Sequence, residues 1–439
     1  MTEKVVVVGG GLAGVEAAWQ LARAGLDVEL LEMRPVRPTA VHLSDRLAEL
    51  VCSNSLRGDS PANAVGLLKR EMEVLDSLVI RIARATAVPA GGALAVDRDA
   101  FAQKITETVT AHPRITVVRR EAQTLPEGPA VVATGPLTSA ALHDAIEGVL
   151  GEGALAFYDA IAPIVAAESL DHERLFRASR YGKGGGGHYL NAAMDREQYE
   201  GFVAELGEAD RVPFKEFETE DIRYFEGCLP IEVMAERGLD TLRFGPMKPV
   251  GLEDPATGRR PWAVVQLRQD DLAADHWNLV GFQTKLTRSE QQRVFRTIPG
   301  LERARFVRFG MIHRNTFLNS PAHLDELLRL RRRPEIRLAG QVTGVEGYVE
   351  SAATGLLAGR FVAAEFDGGS PAPPPPETAL GGLVRHLTRT EAADFQPSNI
   401  TWGLMVVPPE LRSVRNRRER RERHAELAVE RIGRWAETL

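Results

Sequence analysis

The sequence predicts an α/β fold in two intertwined parts: a parallel-sheet domain whose segments are separated along the chain, and an α+β domain inserted between them. Three stretches point to it, the first at the N-terminus. Lys4-Val5-Val6-Val7-Val8 is a buried-type β run, Gly9-Gly10-Gly11-Leu12-Ala13-Gly14 follows at once, and Val15 to Ala24 reads as a helix. A second strand, Asp27 to Leu31, ends in Glu32, followed by Met33 and Arg34. In this order Gly9 turns tightly, Gly11 lets a pyrophosphate approach bare backbone, and Gly14 lets the helix pack closely on the strand. The helix start offers free N–H groups and partial positive charge to phosphates. Glu32, 18 residues beyond Gly14, stands where a carboxylate takes ribose hydroxyls. Strand, glycines, helix, strand and acid together specify a Rossmann-like dinucleotide site.

The other two stretches select the dinucleotide. Ala130-Val131-Val132 runs into Ala133-Thr134-Gly135, a strand ending of the type found in FAD-binding folds. Ile336 to Gly340 is a further strand, leading through Gln341-Val342-Thr343-Gly344-Val345-Glu346-Gly347-Tyr348 into a helix over residues 350 to 364. This resembles the closing segment of two-dinucleotide-binding-type flavoproteins, where a helix N-terminus points at the flavin, and so implies FAD. No second GxGxxG follows a strand, so a nicotinamide donor, NADH or NADPH, is expected to lack a Rossmann domain of its own.

Residues 1–150 and 305–369 are therefore assigned to the FAD-binding domain and 151–304 to the inserted substrate domain. Strands are expected near Ile161 to Ala166 and Ala263 to Leu267, with helices near Arg196 to Leu206 and Ser289 to Thr297. Residues 370–378 hold a polyproline linker, and 379–439 a helical module with an arginine-rich tail. Gly182-Lys183-Gly184-Gly185-Gly186-Gly187 lacks the Gly-Lys-Ser/Thr ending of a phosphate loop and reads as a surface loop.

With 439 residues, 44% hydrophobic and 26% charged, the chain can bury a large core and is not disordered. No apolar run reaches the roughly 18 residues of a membrane span, and a cytoplasmic location is expected. Two cysteines and ten scattered histidines predict no disulfide scaffold and no metal site. The formal charge of −6 conceals an asymmetry: nine arginines and five glutamates from Leu411 onward give the tail +4. Arg412, Arg415, Arg417, Arg418, Arg420, Arg421 and Arg423 crowd one helical stretch. Phosphate contact is one reading; a solvated helix with Glu419, Glu422 and Glu426 as internal partners is the other.

Cys52 follows a short helical stretch, Leu47 to Val51, and precedes Ser53-Asn54-Ser55, with Arg57 nearby. Cys228 sits in Glu226-Gly227-Cys228-Leu229-Pro230. Free cysteines are usually small buried hydrophobes, but either of these can act as a catalytic thiol. Longer segments sharpen the choice. Val51-Cys52-Ser53-Asn54-Ser55-Leu56, Asn63 to Lys69, Pro89 to Arg98, Ala133 to Ser139, Phe244 to Leu252, Val264 to Gln269 and His313-Arg314-Asn315-Thr316 closely resemble the folate- and FAD-dependent tRNA (uracil-5-)-methyltransferases. The resemblance covers residues 4 to 405. One departure is Ala192-Ala193 after Leu190-Asn191, where many relatives carry Cys-Pro.

The resemblance implies that methylenetetrahydrofolate gives carbon, reduced FAD gives electrons, and uridine 54 in the T-loop of tRNA becomes 5-methyluridine. It implies Cys52 as the nucleophile and Cys228 as the general acid/base. Arg57, Lys248, Arg268, Lys285, His313, Arg314 and Asn315 are candidate RNA or folate contacts near the site. Arg415, Arg417 and Arg418 are candidates for an outer clamp. A non-catalytic, flavin-stabilised RNA-binding protein is one competing reading, told apart by whether bound flavin reacts with NADPH, and two enzymatic alternatives remain at the level of sequence. One is the glucose-inhibited-division-type FAD enzyme of the wobble uridine, usually longer at its C-terminus. The other is a flavin thiol oxidoreductase, for which 176 residues between the thiols is unusual.

Overall fold

The structure, a computed structural model, describes residues 4–39, 41–151, 155–185, 187–212 and 229–439. Its first sheet gathers β1 (Val5–Val8), β2 (Val28–Glu32), β3 (Ile115–Arg119), β4 (Ala130–Val132) and β5 (Arg333–Leu338), with Arg329–Leu330 on the edge. The order is Arg329–Leu330, β5, β4, β1, β2, β3, parallel except at that edge. The chain runs outward from β1 through β2 to β3, then returns to β1's other side as β4. Ligands of open α/β sheets bind beyond the strand ends at such a reversal. A strand from far along the chain, β5, completes the sheet beside β4, so the FAD-type domain is discontinuous.

Helix α1 (Leu12–Arg23) lies on this sheet, and α3 (Tyr348–Phe366) lies on α1. Small residues make the crossing possible. A Cβ on Gly355 would sit 2.1 Å from the Ala13 carbonyl oxygen, and one on Gly359 would sit 2.8 Å from that of Ala17.

The C-terminal region joins the same core. Helix α2 (Ala64–Val74) carries the buried Glu71, whose two carboxylate oxygens accept the Ala379 and Leu380 N–H groups at 2.7 and 2.8 Å. These are the first residues of α4 (Ala379–Arg389). Burial pushes Glu71 up to about 8, the two N–H donors opposing. Helix α5 (Arg417–Ala436) buries Ala425, Ala428, Ile432 and Trp435 in the cluster that holds α1 and α3. Trp435 donates to the Ala372 carbonyl at 2.9 Å, and the His424 ring meets the Glu377 carbonyl at 2.7 Å. The proline segment is thus a fastened strap, and residues 379–439 share the cofactor domain's core instead of forming a separate module.

The inserted domain is an antiparallel sheet in the order Leu175–Ala178, Tyr189–Met194, Ala263–Gln269, His276–Leu279, Ile164–Ala166, Phe306–Arg308. Its last strand lies beyond the expected boundary at 304. The expected strand from Ile161 is also divided: Pro163, which has no N–H for a ladder, separates Leu155–Ile161 from Ile164–Ala166. The former pairs with Met311–Phe317 in a two-stranded ribbon. Along Ala263–Gln269 every residue is buried, but the two faces differ. Ala263, Val265 and Leu267 enter an apolar cluster with Tyr199, Phe202, Phe282 and Phe295. Gln266 and Arg268 share the other face: Gln266 bonds Asn191 and Arg180 within the inserted domain, and Arg268 reaches Ser53 and Asn54 of the cofactor domain. Among the described residues no helix is long and apolar enough to cross a membrane.

Candidate functional site: a dinucleotide cleft beside Cys52

A cleft of about 1020 Å³, part of it open to solvent, lies at the β1/β4 reversal. Gly9, Gly10, Gly11, Leu12, Ala13, Glu32, Met33, Arg34, Ala133, Thr134, Gly135, Gly340, Gln341 and Tyr348 line it. Gly9 adopts φ +103°, and a Cβ there would meet the Ala133 carbonyl at 2.5 Å. A Cβ on Gly14 would lie 1.8 Å from the Gly9 carbonyl oxygen, so this glycine serves helix packing. At Gly11 the added Cβ meets nothing within 4 Å among the described residues. No described side chain caps α1, whose first N–H groups need acceptors. An open glycine at an uncapped helix start, with a carboxylate at the end of the next strand, fits the pyrophosphate and ribose of FAD.

Glu32 is 5% exposed and already engaged. It accepts the Gly10 N–H at 3.0 Å, the Arg34 N–H at 2.9 Å and the Arg34 Nε at 2.9 Å. Burial opposes its charge, but the Arg34 guanidinium and the two N–H groups hold the carboxyl below its usual range. Gly344, Val345, Glu346 and Gly347 do not line the cleft. They shape the turn behind it: Gly344 and Gly347 have φ of +88° and +104°, and Glu346 accepts from Gln341 Nε2 at 2.6 Å. That turn aims the N-terminus of α3 at the cleft through Tyr348 and Ser351.

Sequence reasoning missed Thr39, His42 and Glu49, which also line the cleft. They come from an irregular loop without periodicity. The expected helix over Leu47–Val51 is absent, because Ala48 takes φ +51° and donates its N–H to the Gly10 carbonyl at 2.8 Å. Burial, then the Arg34 charge, push His42 down to about 4, so it is neutral near pH 7.

Cys52 follows that loop, half-buried at the join of the two domains. Its N–H and that of Ser53 donate to the Tyr348 phenol oxygen at 2.7 and 3.2 Å. Burial, then the charge the neighbouring thiol can carry, raise the Tyr348 phenol above its usual range. Arg268 fastens the segment from the inserted sheet, donating to Ser53 Oγ at 2.7 Å and Asn54 Oδ1 at 2.9 Å. Asn54, fully buried, returns Nδ2 to the carbonyls of Val96 and Gln269, both at 2.9 Å. Arg98 donates to the Leu50 carbonyl at 2.6 Å and grips Asp270 with two bonds of 3.0 and 3.1 Å. Arg98, Arg268 and Arg308 all interact electrostatically with Cys52, so the thiol sits in a cationic setting.

Of the other candidates, Cys228 lies outside the described residues. Arg57, at φ +62°, is ion-paired with the buried Glu350 in the first turn of α3. Lys248 is exposed on the inserted domain. Lys285 lies there too, its N–H donating to Glu232 at 2.8 Å. His313, Arg314 and Asn315 lie on the ribbon strand Met311–Phe317. Arg415, Arg417 and Arg418 are exposed at the start of α5, Arg418 pairing with Glu422.

This fold and cleft define a flavoprotein-type dinucleotide-binding chain. It belongs to the glucose inhibited division protein A family, whose model matches residues 4–370. Within that family it is similar to curated enzymes called methylenetetrahydrofolate–tRNA-(uracil-5-)-methyltransferase TrmFO. It is 57% identical over 446 residues to that of Rhodospirillum rubrum, covering 98% of this chain and 92% of the relative. It is 55% identical over 440 residues to that of Geobacter sulfurreducens, covering all of both. The structure of Aquifex aeolicus GidA shares the fold with a TM-score of 0.70 at 16% identity, covering 99% of this chain and 74% of that one.

Proposed function

We propose that the chain methylates C5 of a tRNA uracil, taking carbon from methylenetetrahydrofolate with FAD as its redox cofactor. The finer reading places the target at uridine 54 of the T-loop, with NADH or NADPH as the electron source. Cys52 carries the proposal: its N–H donates to the phenol of the first residue of α3, whose start faces the cleft, and three guanidiniums, of Arg98, Arg268 and Arg308, interact electrostatically with it. Names of relatives more than half identical over full length support it.

C5 of uracil is a weak nucleophile. When the Cys52 thiol, having lost its proton, adds through sulfur to C6, the C5=C6 electron pair shifts toward C5 and the C4 carbonyl oxygen. That carbon then attacks the folate methylene, a base, assigned to Cys228, removes the C5 proton, and the electron pair so released expels tetrahydrofolate by breaking the methylene's remaining C–N bond. Gly11, the start of α1 and Glu32 would hold FAD at its pyrophosphate and ribose, and α3 would face its ring. Bound there, FAD supplies the hydride that reduces a transferred methylene to methyl, the thiol leaving C6 as the ring double bond returns.

The test is purified holoenzyme with T-arm hairpin RNA, NADPH or NADH, and either labelled methylenetetrahydrofolate or labelled S-adenosylmethionine. Label should enter 5-methyluridine from the folate alone; label from S-adenosylmethionine alone would overturn the reading. The arginines make a second expectation. Arg415→Gln, Arg417→Gln and Arg418→Gln should each flatten the dependence of log affinity on log salt, by roughly 0.7–0.9 for each phosphate no longer neutralised. The modified uridine should not change. Substitution is the right probe because removing α5 would strip Ile432 and Trp435 from the core. An unaltered slope would leave these arginines as a solvated helix face.

A further inference from the structure

One row of residues crosses the inserted sheet opposite Cys52. Tyr189 pairs with Arg268, Arg268 with Asn278, Asn278 with Ile164, and Ile164 with Arg308. Directly paired residues project to the same side of a sheet. Arg268 fixes which side, since its guanidinium holds Ser53 and Asn54. Arg308 agrees, reaching the Val41 carbonyl at 2.9 Å in the loop before Cys52. Cys52 interacts electrostatically with both arginines; in the row Asn278 is paired directly with Arg268, and Ile164 separates it from Arg308.

Asn278 is 3% exposed, yet its Nδ2 has no hydrogen-bond partner among the described residues. Buried donors are nearly always satisfied, and an unmet one is costly. The apolar side of the sheet does not explain it, because Leu267 and Leu279, the sequence neighbours of Arg268 and Asn278, occupy that side.

We propose that Asn278 is a ligand-reading residue whose side-chain amide binds the lactam edge, adjacent C=O and N–H, of a ring placed beside Cys52. Nδ2 donates to the ring carbonyl, and the same amide can accept from the ring N–H. The neighbouring Arg268 guanidinium favours extra electron density on that carbonyl oxygen. Two rings in the proposed reaction carry this edge: the target uracil, at C4 and N3, and the pterin of the folate. The inference rests on the proposed function for its ligands.

The test compares wild-type holoenzyme with Asn278→Leu, similar in size but without polar atoms, and Asn278→Asp, which keeps size and polarity but has no donor near neutral pH. FAD content and thermal melting establish that the variants fold. Binding of T-arm hairpin RNA and of tetrahydrofolate is measured directly, alongside KM for each. Both variants should lose about tenfold in affinity for one ligand, the size expected from a single hydrogen bond, with KM rising in parallel. Loss confined to the RNA identifies uracil, and loss confined to tetrahydrofolate identifies the pterin. Unchanged affinity for both ligands in folded Asn278→Leu, or full recovery in Asn278→Asp, would overturn the inference. Failure of wild type to transfer the folate carbon would instead sink the proposed function, while the binding comparison still decides the role of Asn278.

Discussion

Replacing Cys52 with alanine should abolish methyl transfer and leave an FAD-loaded protein. The side chain is half-buried, so its loss opens no core cavity, and alanine keeps the N–H that donates to the Tyr348 phenol. What disappears is the covalent nucleophile. RNA bearing 5-fluorouracil at the target separates the roles, because fluorine cannot leave C5 as a cation and the adduct is trapped. Wild type should form a covalent RNA–protein adduct, and Cys52→Ala should form none. Cys228→Ala should keep the adduct and lose turnover, while NAD(P)H still reduces its flavin. An adduct that survives in Cys52→Ala and vanishes in Cys228→Ala would exchange the assignments. Survival in both single variants and in the double variant would end the thiol mechanism. A thiol oxidoreductase would instead pass electrons through the two cysteines to a disulfide substrate.

The cofactor half was legible because its determinants are local. Gly9, Gly11, Gly14 and Glu32 lie within one strand–helix–strand unit; Gly9 and Gly14 have backbone reasons to be there, Glu32 a hydrogen-bonding one, and Gly11 leaves open space at the start of α1. The turn at Gly344 and Gly347 was equally visible, although its glycines aim a helix and do not line the cleft. Residues that depend on long-range register were harder. Arg268 entered through a family resemblance, but its bond to Asn54, 214 positions away, follows only from the sheet. Asn278 gives no signal in sequence, since its significance is its place beside Arg268 in a row that crosses the sheet to Arg308. The C-terminal region misled for another reason. Ala425, Ala428, Ile432 and Trp435 recur at helical spacing, but the arginines before them draw attention to charge. Glu71, which seats the start of α4, lies 308 positions from Ala379.

Gly11→Val and Gly14→Ala should fail in opposite ways, and the contrast tests the cofactor site. Gly11 has φ −76°, open to any L-residue, and its missing side chain faces empty cleft. Valine there should cost about 1 kcal/mol as a poor N-cap and leave the apoprotein folded. Its methyl groups would stand where phosphate must reach the α1 N–H groups, so FAD should be lost and the purified protein colourless. Gly14→Ala adds only one carbon, but that carbon would lie 1.8 Å from the Gly9 carbonyl oxygen. Backbone cannot yield as a flexible side chain does, so α1 must lift from β1. Overpacking of this kind costs roughly 1–3 kcal/mol or more, and here it also moves the interface between α1 and α3. Melting temperature and FAD stoichiometry, measured together, distinguish the two. Gly11→Val should melt near the wild-type apoprotein yet bind no flavin, whereas Gly14→Ala should melt well below it whether or not FAD is added. Stoichiometric FAD in Gly11→Val would remove the glycine loop from the cofactor site, and with it the account of how this chain holds its flavin.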